Sequence, residues 1–125
     1  MAVLDHIILK VNDLQASLAF YTHVMGFTLE GRDGPFTIVR VNPDFQLQLA
    51  PYGTPGLEHY AFAVSRVEFD AIFGRIKASG IAHGSSFDSV GSNTGPGEES
   101  GARGLAPTLY FYDPNKHLLE IRTYD

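Results

Sequence analysis

The chain has 125 residues, a formal net charge of −5 and no cysteine. This length suits one domain. The absence of cysteine excludes disulfides, thiolate metal ligands and a cysteine nucleophile. The negative charge argues against a broad binding surface for nucleic acid or anionic lipid. No apolar run approaches the roughly 20 residues of a membrane-spanning helix, and residues 1–10 lack the basic-then-apolar layout of a secretory signal. We therefore expect a cytoplasmic protein with neither a membrane nor a nucleic-acid partner.

The first part of the chain predicts a βαβββ module. Its first strand, residues 3–11, is mainly apolar and contains His6, and Asn12-Asp13 supplies short side-chain oxygens that can cap a helix. Apolar residues then recur at helical spacing until Gly26, which is placed to end the helix. Three further strands are predicted between turn-forming residues, at residues 27–30, 36–41 and 45–50, with turns at residues 32–35 and 42–44.

The same order begins again after a turn-rich linker at residues 51–56. His59 corresponds to His6, each after an acidic residue, and Glu120 falls where Gln48 fell. Such internal similarity predicts a duplicated architecture, and we expect an α+β fold made of two βαβββ modules. The modules are expected at residues 1–50 and 57–125 of a single domain spanning residues 1–125.

The second module carries an insertion at residues 85–104 that is rich in glycine and serine. With so little apolar content it cannot bury much of itself, so it is expected to be either a mobile lid over a site or a surface loop. The insertion directly precedes the strand that holds Tyr110. Its end is therefore expected to approach the pocket and to bring Arg103 or Glu98 into contact with a substrate.

Two histidines at equivalent positions indicate a functional site. A lone histidine on an apolar strand is more often a core residue, but the pseudo-twofold symmetry of a duplication brings equivalent positions together. His6, His59, Glu120 and Gln48 are thus predicted to converge on one pocket. Two histidines and one carboxylate with open positions form the ligand set of non-haem Fe(II) oxygenases, and the same set also suits Mn, Ni or Zn.

Glu120 is an anomaly because it stands among Leu118, Leu119 and Ile121. A buried carboxylate is costly unless a cation or strong hydrogen-bond donors compensate its charge, and a metal ion would do so. The alternative is that strand alternation points Glu120 to solvent while its two neighbours face the core.

Three segments resemble the vicinal oxygen chelate superfamily. They are DHIILKVNDLQASLAFYTHVMGF at residues 5–27, EHYAFAVSRVEFDAIFGRI at residues 58–76, and YFYDPNKHLLEI at residues 110–121. This superfamily includes glyoxalase I, extradiol ring-cleavage dioxygenases, fosfomycin-resistance thiol transferases and bleomycin-resistance proteins. The stretches GPFTIVRVN, HYAFAVS, EFDAIFGRI and PGE are most similar to the group around the chartreusin-pathway ring-rearranging oxygenase.

The resemblance implies paired βαβββ modules that form a cupped mixed sheet around one central divalent metal, usually in a homodimer. It carries the metal-ligand role onto His6, His59 and Glu120, with Fe(II) as the expected ion. It also singles out Tyr110, because extradiol dioxygenases and fosfomycin thiol transferases place an active-site tyrosine ten residues before the ligand glutamate.

Two departures from the superfamily pattern bear on function. Glyoxalase I typically has a glutamate ligand where this chain has Gln48. An amide oxygen is a poorer but possible ligand, so glyoxalase chemistry is disfavoured but not excluded, and Gln48 is expected to contact substrate. The fosfomycin enzymes carry a substrate-binding arginine several residues beyond the ligand glutamate, where this chain offers only Arg122.

His83 and His117 are additional acid–base candidates, but their positions near a loop and a turn predict that both are solvated.

Three functions are therefore kept open. The first is a metal-dependent oxygenase that cleaves or rearranges a ring of a small aromatic or polyketide-like substrate, with Tyr110 assisting proton transfer. The second is a lyase or thiol transferase of the same superfamily that uses the metal as a Lewis acid. The third is a metal-free resistance protein that sequesters a drug-like molecule.

Overall fold

The computed structural model describes all 125 residues, which divide into two compact units, Met1–Pro55 and Gly56–Asp125. Each unit contains a mixed sheet with one parallel strand pair, so the predicted α+β class is confirmed. Neither α-helix is long and apolar enough to cross a membrane.

The first unit has the predicted βαβββ order, with the sheet arranged β1-β4-β3-β2. Asp13 caps the helix by accepting a hydrogen bond from the backbone of Ala16 at 3.0 Å. Strand β2 continues to Asp33, inside the predicted turn, because Asp33 pairs with Phe36 across the two-residue turn Gly34-Pro35. The elements are β1 (His6–Lys10), α1 (Leu14–Ala19) with a π-helical continuation (Phe20–Val24), β2 (Thr28–Asp33), β3 (Phe36–Asn42) and β4 (Phe45–Ala50).

The second unit has the sheet order β5-β9-β8-β6, with β7 pairing to β8 as an additional strand. Its helix begins with a capping box in which Ser65 and Glu68 bond each other's backbone N–H. The elements are β5 (His59–Ala63), α2 (Arg66–Ala78), β6 (His83–Gly84), β7 (Gly97–Gly101), β8 (Gly104–Tyr112) and β9 (Leu118–Arg122). The largest buried apolar side chains of this unit are Phe69, Ile72, Ile76, Leu109, Phe111, Leu119 and Ile121.

Strand register places the candidate residues at equivalent positions of the two sheets. In the first unit, β1 runs parallel to β4 and pairs Ile8 with Gln48, two residues beyond His6. In the second unit, β5 runs parallel to β9 and pairs Ala61 with Glu120, two residues beyond His59. Gln48 and Glu120 therefore occupy the same position relative to their histidines.

The insertion at residues 85–104 is more ordered than its composition predicts. Its last part is strand β7, which pairs antiparallel with β8 over five residue pairs and is joined to it by Ala102 and Arg103. The GEESG sequence of β7 has no apolar alternation, so this strand depends on its partner β8 rather than on local propensity. Whether the segment moves as a lid stays a prediction.

The expectation that His83 and His117 are solvated is wrong, because they are only 6% and 1% exposed. His83 Nδ1 donates to the carbonyl of Ile81 at 2.9 Å. His117 lies in the β8–β9 turn, where its backbone N–H donates to Asp113 and its Nδ1 accepts from the backbone of Glu58 at 3.4 Å. A backbone partner thus satisfies one nitrogen of each ring, which lowers the cost of burying it.

Candidate active site

Glu120 is buried on β9, where it is 4% exposed. Its neighbours Leu119 and Ile121 are completely buried on the other face of the same strand. The alternative in which Glu120 points to solvent is therefore wrong, and its carboxylate needs a partner inside the protein.

Arg122 is that partner. Its Nη1 donates to Glu120 Oε2 at 2.7 Å, and the guanidinium is as buried as the carboxylate. Strand alternation places the two side chains on one face, although the sequence by itself does not pair them. Because the arginine already compensates the carboxylate, the charge of Glu120 does not by itself require a metal.

His59 presents an open ring nitrogen to the other oxygen of Glu120. Its Nδ1 lies 3.0 Å from the carbonyl of Leu118, and because a carbonyl only accepts, we assign the ring proton to Nδ1. In that tautomer Nε2 carries the lone pair, and it lies 3.4 Å from Glu120 Oε1. Nε2 and Oε1 are both hydrogen-bond acceptors, and two acceptors that face each other need a proton or a cation between them. The same lone pairs can bind a metal, so this pair of atoms fits a divalent metal ion.

The distance between these donors agrees with that fit. Ligands that share one metal at about 2.0–2.1 Å each lie about 3.0–3.4 Å apart. The hydrogen bond from His59 Nδ1 to a backbone carbonyl is also the outer contact that fixes the tautomer of a metal-binding histidine.

Tyr110 lies beside both members of this pair. It is paired with Glu120 across β8 and β9, and its ring stacks on that of His59 with the centroids 6.1 Å apart and the planes within 4°. Burial, followed by the hydrogen bond to Glu120 and the charge of that carboxylate, raises the pKa of Tyr110 to about 12. Tyr110 therefore stays a neutral phenol and a hydrogen-bond donor at neutral pH.

A cavity of about 310 Å³ opens beside Glu120. Arg103 stands at this cavity with its guanidinium carbon 4.1 Å from the ring centre of Tyr124, and it forms no ion pair with an acidic side chain. Glu98 is exposed on β7 and does not line the cavity. The lining residues are Ala61, Ala63, Ser100, Gly101, Ala102, Arg103, Glu120, Arg122 and Tyr124.

Tyr124 was not identified from the sequence. It follows β9 outside any predicted strand, and its hydroxyl accepts a hydrogen bond from the backbone N–H of Arg103 at 3.2 Å. Its ring also lies 5.0 Å from the guanidinium carbon of Arg122. Only the folded second unit shows that Tyr124 lies against both arginines.

The equivalent residues of the first unit share some of this chemistry. His6 Nδ1 lies 2.7 Å from the carboxylate of Asp5, so the ring proton lies at Nδ1 and Nε2 is again open. Gln48 donates to Gln46 Oε1 at 3.4 Å. The structure contains no preformed cluster of three or more histidine, aspartate or glutamate side chains arranged for metal binding, and the ligand set of His6, His59 and Glu120 stays a prediction.

Comparison with known proteins gives a consistent family assignment. Residues 3–121 match the family model described as the Glyoxalase/Bleomycin resistance protein/Dioxygenase superfamily. The structure is similar to that of oxidase ChaP-H1, with a TM-score of 0.81 and 32% identity over 100% of this chain and 98% of the other. For oxidase ChaP-H2 the TM-score is 0.80 and the identity 31%, over 99% of this chain and 94% of the other.

A curated relative carries a different activity in its name. The glutathione transferase FosA of Serratia marcescens is 28% identical over 125 residues, which cover 94% of this chain and 78% of that protein. The comparisons thus connect the chain to oxidases and to a transferase.

Proposed function

Because the chain belongs to the glyoxalase/bleomycin resistance protein/dioxygenase superfamily, we propose that it is a divalent-metal-dependent oxygenase that cleaves or rearranges a ring of an aromatic or polyketide-like substrate. The superfamily resemblance expected from the sequence is confirmed. The observation that carries the proposal is the open Nε2 of His59 facing Glu120 Oε1 beside the cavity. Similarity to two oxidases at 31–32% identity over almost the whole chain supports oxygen chemistry.

The metal would be held by His59 and Glu120 of the second unit together with His6 of the first. Fe(II) is the expected ion, and Mn, Ni or Zn would accept the same ligand types. When bound, Fe(II) supplies Lewis acidity and redox chemistry toward O2. The contacts at Nδ1 of both histidines favour the tautomer that leaves Nε2 open.

The remaining groups would bind and orient the substrate. Tyr110, as a neutral phenol, would turn its O–H from Glu120 to a substrate oxygen and assist proton transfer. Arg103, which has no acidic partner, would bind an ionised or carbonyl oxygen. Gln48 would contribute its amide, and Glu98 would contact substrate if the insertion moves.

Oxygen uptake tests the proposal. Protein loaded anaerobically with Fe(II) is mixed with a panel of catechols and hydroquinones, and O2 consumption is followed together with product mass. We expect stoichiometric O2 consumption with at least one aromatic diol. Turnover of a glutathione hemithioacetal or transfer of glutathione, with no O2 consumed, would contradict it.

A lyase or transferase is the second candidate, and the similarity to the glutathione transferase FosA favours it. This activity would use the same ligands and a metal that need not change its redox state. It would therefore persist with Mn or Zn in the absence of O2, whereas the oxygenase would not. The third possibility, a metal-free drug-binding protein, would bind an aromatic ligand equally well with and without a chelator.

Replacing Arg103 with alanine is expected to weaken substrate binding and leave metal binding unchanged. A hydrogen bond to a charged group contributes about 1.5–3 kcal/mol, so KM for the identified substrate should rise about 10- to 100-fold. Arg32→Ala, which removes an exposed arginine from β2 of the first unit, is the matched control and should leave KM unchanged. Wild-type kinetics in Arg103→Ala would exclude Arg103 from the substrate site.

We also propose that the protein is a cytoplasmic homodimer. Each mixed sheet needs its apolar surface covered by another layer, and dimers are usual in the superfamily that the sequence resembles. Sedimentation at micromolar concentration is expected to give twice the 13.7 kDa mass of the chain. A single species at the monomer mass would contradict the dimer.

A further inference from the structure

Arg122 does more than compensate the charge of Glu120. Its guanidinium donates to four acceptors, of which only one is a carboxylate. Nη1 donates to Glu120 Oε2 at 2.7 Å and to the carbonyl of Ser100 at 3.2 Å. Nη2 donates to the carbonyls of Glu99 and Gly104, each at 2.9 Å.

These bonds join β9 to both strands of the β7–β8 hairpin. Nη1 links Glu120 to β7, and Nη2 spans from β7 to the first residue of β8. The hairpin turn, residues 101–104, therefore closes directly over the guanidinium, and this turn carries Arg103. A Cβ atom added at Gly101 would overlap the guanidinium of Arg122, so glycine at this position lets the turn come so close.

We infer that Arg122 is a positioning residue with two linked tasks. It occupies Oε2 of Glu120 and so leaves Oε1 aimed at Nε2 of His59, and it holds the 101–104 turn so that Arg103 stands at the cavity. The first task rests on the proposed metal site, whereas the second does not. A planar guanidinium can serve four acceptors in fixed directions, which a lysine ammonium on a flexible stem cannot do.

The rival explanation is that Arg122 serves only as a positive charge. In that case Arg122→Lys, which keeps the charge, would bind metal like the wild type. Arg122→Met would bind metal more tightly, because the ion would replace the missing charge beside Glu120. Positioning predicts the opposite for both variants, since both lose the fork that orients the carboxylate and the turn.

The test combines metal titration with hydrogen exchange. Ni(II), a redox-stable probe for the Fe(II) site, is titrated calorimetrically into wild type, Arg122→Lys, Arg122→Met and the control Arg40→Met. Arg40 is also a strand arginine paired with a glutamate, Glu30, at 3.0 Å. We expect both Arg122 variants to bind Ni(II) about 10- to 100-fold more weakly, the usual effect of losing an outer partner of a ligand, and the control to match the wild type.

Hydrogen exchange of the backbone amides at residues 97–104 is measured by mass spectrometry on the metal-free proteins. We expect exchange at least about tenfold faster in both Arg122 variants than in the wild type, because local opening of the segment then costs less free energy. Residues 36–50 of the first unit should not change. Wild-type Ni(II) affinity in Arg122→Lys, or tighter binding in Arg122→Met, would overturn the inference, as would unchanged exchange at residues 97–104. If the wild type itself binds no Ni(II), the proposed metal site fails, and the exchange data alone decide whether Arg122 holds the turn. Arg122→Lys keeps the test decisive if Arg122→Met does not fold.

Discussion

Replacing Glu120 with glutamine is expected to weaken divalent-metal binding by more than about 100-fold. Loss of a residue that only hydrogen-bonds a ligand already lowers metal affinity about 10- to 100-fold, and loss of the ligand itself should cost more. Glutamine keeps the shape of the side chain and still offers an oxygen to Arg122, but it removes the anionic donor that faces Nε2 of His59 at 3.4 Å. Calorimetric titration with Ni(II) at neutral pH measures the change. Because the substitution is nearly isosteric, the circular dichroism spectrum should remain that of the wild type.

The matched control is Glu30→Gln. Glu30 pairs with Arg40 on neighbouring strands of the first unit, so this change removes a glutamate from another strand-borne Glu–Arg pair. It should leave Ni(II) affinity unchanged. Equal affinity in wild type and Glu120→Gln would remove Glu120 from the proposed ligand set.

The second large effect concerns stability. Arg122→Met should lower the free energy of unfolding by about 3–5 kcal/mol, because it leaves the carboxylate of Glu120 buried without a compensating charge. Both members of the pair are only 4% exposed, so solvent cannot replace the arginine. Urea unfolding of the metal-free protein gives the value, and a loss below about 1 kcal/mol would contradict the burial of the pair.

A double-mutant cycle separates the charge from the other contacts of Arg122. Arg122→Met combined with Glu120→Gln should be more stable than Arg122→Met alone, because no unpaired charge remains inside the protein. The double mutant should still be less stable than the wild type, since three backbone carbonyls have lost their donor. Strict additivity of the two single changes would mean that the pair is not energetically coupled.

The duplication and the alternation of β9 could be predicted from the sequence because they depend on local patterns. His6 and His59 stand at the same position of repeated strands. In the parallel neighbour of each strand, Gln48 or Glu120 lies opposite the residue two positions after the histidine. The helix cap at Asp13 follows from the same kind of short-range rule.

Burial of the site could not be predicted, because it depends on the hairpin that covers it. The GEESG sequence of β7 carries no strand periodicity, yet its carbonyls surround Arg122 and help to exclude solvent from Glu120. The partner of Glu120 was therefore missed although alternation places Arg122 on its face. The burial of His117 was missed for a similar reason: the Asp113 carboxylate accepts from its backbone N–H, and the distant Glu58 backbone N–H donates to its ring.

The proposed metal ligands, His59 and Glu120 together with His6, are tested most directly by crystallography of the loaded protein. Crystals of protein loaded anaerobically with Fe(II) allow an anomalous difference map to be recorded at the iron absorption edge. We expect one anomalous peak per chain beside His59, Glu120 and His6, while Oε2 of Glu120 keeps its bond to Arg122. A peak on other residues, or none in crystals of the stoichiometrically loaded protein, would contradict it.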